Sequence, residues 1–289
     1  MATLADPGQP TTATRGRARR RWVVVWATTL AVLCGVLFVT VNALTLTLWA
    51  TDPDYSETGP VVDLAFFALG GLLVTVGIAS QIRDARVAGL QQTVMALLAL
   101  AAAGAAGGRI EPLVGALVLL AAVAPLAVWH PDRRRLLAAG VGPSRPMALL
   151  AVAAALPSLA YATGMLAQAR AAGPSCFLGQ CAQGDRYAET AALAVAMVLV
   201  ALLAALRTER WRLPARCAGA AAIVLGGTSV AFPGEAGALG LWWALATIGW
   251  GTTLIALARL PDARARRRHD VTTSRAGDGD DGSPYPLRP

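Results

Sequence analysis

Two carboxylates stand at matching places in apolar stretches of this chain. Asp63 lies in "GPVVDLAFF" and Glu189 in "YAETAALAV". Carboxylates buried near one another bind a metal cation or an amine. Asn42 and Tyr161 could add neutral hydrogen bonds to such a site, which needs the four side chains to meet. A plainer role is open to both acids. A carboxylate is favoured at the positive N-terminal end of a helix. Glu189 is also three residues from Arg186, within reach of a local ion pair.

The other reactive pair is Cys176 and Cys181 in "CFLGQC", in a chain with 4 cysteines. On an oxidising side of a membrane this spacing suits a disulfide, worth about 2 kcal/mol for so short a loop. Zinc would need further ligands. The chain has 2 histidines, His130 and His269, and Cys34 and Cys217 fall in other segments. No H-E-x-x-H, G-x-S-x-G or phosphate-binding glycine loop occurs. The "DGDDG" of the tail lacks the remaining spacing of a calcium loop. No metal, cofactor or catalytic residue is expected.

The elements that must position these groups are membrane spans. Hydrophobic residues make up 56% of 289, charged residues 15%, and mean hydropathy is +0.54. A soluble domain would carry roughly a quarter charged residues. Apolar runs reach the roughly 20 residues that cross a bilayer as a helix. The fold class is therefore an all-α polytopic membrane protein of eight transmembrane helices. The expected spans are 22–50, 61–80, 89–107, 112–130, 147–167, 188–206, 217–232 and 238–258. The first is too long for a cleaved signal peptide. Residues 1–21 and the tail 261–289 are polar and read as disordered.

All 25 basic residues are arginine, and 22 of them fall on one side if the spans alternate. That side holds Arg19, Arg20 and Arg21, then Arg133, Arg134 and Arg135, and in the tail Arg266, Arg267 and Arg268. Arg109, Arg170 and Arg186 fall on the other. The bias places both termini in the cytoplasm. The net charge of +8 then serves topology and contact with anionic lipid rather than nucleic acid. The all-arginine usage, with abundant Ala, Gly and Leu, suits a bacterial plasma membrane. Trp22 and Trp26, Trp49, Trp129, and Trp242 with Trp243 fall near span ends, as an interfacial belt requires.

The halves 22–135 and 147–260 resemble each other. Asp63 matches Glu189, "RDAR" matches "RTER", Glu111 matches Glu235 and "PDRRR" matches "PDARARRR", at offsets of 124 to 130 residues. They read as a four-plus-four tandem duplication, which predicts the same packing order in each half. The second half differs by its longer outer loop, 168–187, which carries the cysteines. Gly70–Gly71, Gly107–Gly108 and Gly226–Gly227 suit close helix packing, and Pro125 and Pro157 suit kinks.

With little polarity at mid-depth, the chain reads as a non-catalytic membrane component: a subunit, an envelope factor, or a sensory or assembly factor. Its partners would be the bilayer, a membrane protein or a second copy. The alternative is a small-solute or cation transporter with an outward acidic site. An integral-membrane enzyme stands third.

Overall fold

The structure, a computed structural model, describes residues 12–51, 59–84, 87–130, 133, 136, 143–173, 182–206 and 210–260. The chain divides into two units, Met1–Ala258 and Arg259–Pro289, and nearly all described residues belong to the first. The described residues form helices and turns, with no strand among them. The helices are α1 (Thr12–Thr51), α2 (Pro60–Phe67), α3 (Val76–Asp84), α4 (Val87–Gly107), α5 (Ile110–Trp129), α6 (Arg145–Ala171), α7 (Ala182–Ala205), α8 (Arg212–Ala231) and α9 (Leu241–Arg259). A π-helical segment, Ala68–Thr75, joins α2 to α3 without a break, so these three pieces make one long rod.

Eight of these rods are long and apolar enough to cross a membrane. Ala and Leu dominate them, which gives strong helix propensity, and a helix satisfies every backbone group internally. α1 starts at Thr12, ahead of the apolar run expected from Trp22. Arg and Ala propagate a helix well, and the stretch from Arg17 to Trp22 holds no Gly or Pro to stop it. Residues 12–21 are thus helical rather than disordered, while the tail from 261 lies outside the described residues.

The rods sort into two classes. In their most apolar stretches the α2–α3 rod, α4, α7 and α8 are 61%, 67%, 83% and 56% buried; α1, α5, α6 and α9 are 28%, 22%, 17% and 22% buried. The second, third, sixth and seventh spans thus form the centre, and the first, fourth, fifth and eighth the periphery. The peripheral helices show large apolar side chains outward, among them Leu33, Val118, Leu156 and Trp242. The centre packs Leu69, Leu73, Ala96, Leu97, Leu193, Ala194 and Leu225.

Glycine sets the closest crossings. A Cβ on Gly219 would stand 2.5 Å from the Gly251 carbonyl oxygen, and one on Gly226 would stand 2.6 Å from that of Ala244, so α8 and α9 touch backbone to backbone. Gly70 takes the ring of Phe38, and Gly107 meets Leu166, Ala169 and Ala188; Gly108 and Gly227 face open space. Indole hydrogen bonds tie the peripheral helices in pairs. Trp26 of α1 donates from Nε1 to the Ala122 carbonyl of α5 (2.8 Å), and Trp250 of α9 donates to the Leu150 carbonyl of α6 (2.9 Å). Trp26 is therefore turned into the bundle, not part of an interfacial belt. Trp129, Trp242 and Trp243 are exposed near helix ends, and Trp22 is exposed where the apolar run of α1 begins.

Candidate functional site

The ion cluster forms where three helices begin. Gly59, at φ 80, brings the chain into Pro60, whose fixed φ suits the first helical position, and Asp63 falls in the first turn of α2. The α4–α5 turn is closed by a Schellman motif. Gly108 adopts φ 69, its N–H reaches the Ala105 carbonyl (3.3 Å), and the Arg109 N–H reaches that of Gly104 (2.8 Å). This two-residue turn sets Arg109 at the mouth of α5 and Glu111 in its first turn. Asp185 occupies the first turn of α7, followed by Arg186 and, one turn on, Glu189. Three helix N-termini thus bring carboxylates to one end of the bundle, where the macrodipoles favour negative charge.

Arg186 is the bridge. Its Nε lies 3.4 Å from Asp63 Oδ1 and its Nη1 lies 2.9 Å from Glu189 Oε2. The guanidinium also covers the ring of Phe66, 4.0 Å from the centroid, a cation–π contact. Phe66 packs edge-on against Phe38 at 5.0 Å. Asp63 and Glu189 are buried, and the Arg186 side chain is 19% exposed. The two acids therefore meet through a guanidinium that belongs to the chain itself.

Beside this triad sits a second group that sequence reasoning did not assemble. Arg109 is 2% exposed, and its Nη2 donates to the Ala169 carbonyl of α6. A Cβ on Gly184 would overlap the guanidinium, so the bare backbone of α7 is what seats Arg109. Glu111, Arg109 and Arg186 are the charged neighbours of Asp185. Asp185 is 5% exposed, and neither of its oxygens receives a donor. Across the bundle, Glu235 of the α8–α9 turn lies over Gly59; a Cβ there would stand 2.8 Å from Glu235 Oε2.

The other expected site residues do not join the carboxylates. Asn42 spends its amide on the Phe38 carbonyl of its own helix (2.7 Å), and Tyr161 donates its hydroxyl to the Gly237 carbonyl (2.5 Å). Cys176 and Cys181 lie outside the described residues, as do Arg134, Arg135, Arg266, Arg267 and Arg268. Cys34 and Cys217 are buried free thiols. Arg20, Arg21 and Arg133 are exposed, and Arg19 reaches from α1 to the Val128 carbonyl of α5 (2.6 Å). Among the described residues no three of His, Cys, Asp and Glu converge as metal ligands.

A third polar group lies deeper. From α4, Gln92 donates to the Leu73 carbonyl (2.8 Å) and Thr93 to that of Val74 (3.2 Å). Both side chains are fully buried, and both acceptors lie in the π-helical segment, whose wide turns leave carbonyls off the α-helical ladder. Its sequence signal was the Gly70–Gly71 pair, read as packing alone. For Arg109 and Arg186 the signal was their place among the three arginines on the side opposite the arginine-rich loops. Compared with protein families, characterised proteins and solved structures, the chain matches none of them.

Proposed function

We propose that this chain is a non-catalytic component of a bacterial plasma membrane, built as two tandem four-helix halves with both termini in the cytoplasm. The observation that carries the functional reading is Arg186. A cation-binding site between Asp63 and Glu189 needs two unmatched carboxylates, and this bundle has already placed a guanidinium between them. Beneath it the central helices pack Leu69, Ala192, Leu193 and Ala196. Such a bundle suits a closed scaffold: a subunit or sensory factor that acts through a membrane partner.

Three features support the duplication. Each half runs peripheral, central, central, peripheral. The indole bonds join the first span to the fourth and the fifth to the eighth, with Trp26 matching Leu150 and Ala122 matching Trp250 at offsets near those of the sequence. Glu111 is a charged neighbour of Asp185 and Glu235 lies over Gly59, the same pairing of matched positions. An even repeat relates its halves by an axis along the membrane normal. Orientation rests on the arginine bias.

The transporter alternative draws on the π-helical segment in the central α2–α3 rod, since π-turns recur at functional sites. Co-purification from native membranes tests the component reading: a stoichiometric membrane partner is expected. Saturable solute uptake by the purified protein in proteoliposomes would favour the alternative.

A further inference from the structure

We propose that the end of the α1–α5 seam that carries Arg19 is a seat for the phosphate headgroup of an anionic phospholipid. The two helices run antiparallel: Trp26 bonds the Ala122 carbonyl, and Arg19, two turns earlier on α1, bonds that of Val128. α5 stops at Trp129, while α1 reaches back to Thr12, about 10 Å of helix beyond Arg19. The end of the short helix and the flank of the long one therefore form a step, and Arg19 lies across it.

Arg19 is already held in place there. Its Nη2 donates to the Val128 carbonyl (2.6 Å), where a cation also suits the negative end of the α5 dipole. A guanidinium carries five N–H donors in a fork that matches phosphate, and this exposed one keeps the others for a ligand. Fixing it beforehand removes part of the entropy cost of binding. A second exposed arginine, Arg133, stays beside the end of α5, because its N–H donates to the His130 carbonyl (3.3 Å).

The same place offers what the rest of a lipid needs. Trp22 follows Arg19 by three residues and precedes Trp26 by four, so the three share one stripe of α1. Trp22 is 67% exposed, and Trp129, the last residue of α5, is 41% exposed. Indoles favour the boundary between headgroups and acyl chains. Val25, one turn on from Trp22, and Val128 are exposed too and give acyl chains an apolar surface.

The matched seam of α6 and α9 lacks these parts. Arg145 and Arg259 are exposed at its corresponding end. Counted from its indole bond, however, Pro146 and Leu257 stand where the first seam has Trp22 and Trp129. With these helices spanning a bilayer, either orientation puts the seat at a membrane surface, and a scaffold or a transporter would carry it alike.

The test is lipid titration of the full chain in detergent, read by native mass spectrometry. Wild type should retain phosphatidylglycerol at concentrations where it does not retain phosphatidylcholine. Arg19→Gln/Arg133→Gln should weaken phosphatidylglycerol binding about tenfold, since each arginine near a lipid phosphate contributes several-fold. Arg145→Gln/Arg259→Gln removes the same charge and should bind as wild type does. Should the first variant fail gel filtration, Trp22→Leu/Arg133→Gln replaces two exposed side chains and must weaken binding in its place. Equal retention of the two lipids overturns the proposal, as does unchanged binding in the seat variant or an equal loss in the α6–α9 variant. Displacement of the lipid by inorganic phosphate at equal concentration makes the seat one for a free anion and overturns it too.

Discussion

Replacing Arg186 with Gln should destabilise the bundle far more than an exposed charge would. The substitution strands Asp63 and Glu189, both buried, without the guanidinium that lies 3.4 Å and 2.9 Å from them. Removing one partner of a buried ion pair costs about 3–5 kcal/mol, mostly as the penalty on the charge left behind. The Arg186 side chain is 19% exposed, so water screens part of the effect and the lower end applies. Loss of the contact with Phe66 adds about 0.5–1 kcal/mol. A total of about 3.5–4 kcal/mol corresponds to a fall of roughly 7–16 °C in midpoint for a chain of this size. Thermal unfolding of purified protein in detergent, followed by loss of the monodisperse gel-filtration peak, measures it. The triple variant Asp63→Asn/Arg186→Gln/Glu189→Gln removes the stranded charges and should recover most of the loss. If the single variant melts within about 1 °C of wild type, a shift this scaling equates with under about 0.5 kcal/mol, the triad is solvated and the reasoning is wrong.

Other outcomes follow from the packing. Gly184→Ala drives a methyl group into the Arg109 guanidinium, 2.6 Å from Nε and nearer still to Cζ and Nη2; it should cost about 1–3 kcal/mol, read by the same melt, whereas Gly227→Ala, facing open space, should not. Trp26→Phe and Trp250→Phe each delete one indole hydrogen bond. Each should lower stability by about 0.5–1.5 kcal/mol, and the two losses should be alike if the halves are equivalent.

The spans were legible in the sequence because crossing a bilayer demands length and hydropathy, and both are local properties. All eight expected runs fall on the eight long apolar helices. Ends were less so. The apolar run locates where α1 could enter lipid but does not say where the helix begins, and Thr12 precedes it by a basic stretch that propagates well. A meeting of Asp63 and Glu189 was one of two readings that their places in the sequence left open. That Arg186 would serve both did not, because an i,i+3 pairing is visible along one helix while the reach to α2 depends on packing. Arg109 and Asp185 were harder still: one lies in a turn, the other in a helix 76 positions later, and only the gap left by Gly184 brings them together. The π-helical segment had no periodicity of its own to read, since its apolar residues suit either helix.

Cation flux through proteoliposomes tests the account most directly. Purified wild-type protein is reconstituted into vesicles carrying an internal pH- or sodium-sensitive dye, and a gradient is applied. With Arg186 seated between Asp63 and Glu189, flux should equal that of protein-free vesicles. Saturable flux by wild type, abolished in Asp63→Asn/Glu189→Gln, would contradict the closed scaffold and make the acidic end a transport site.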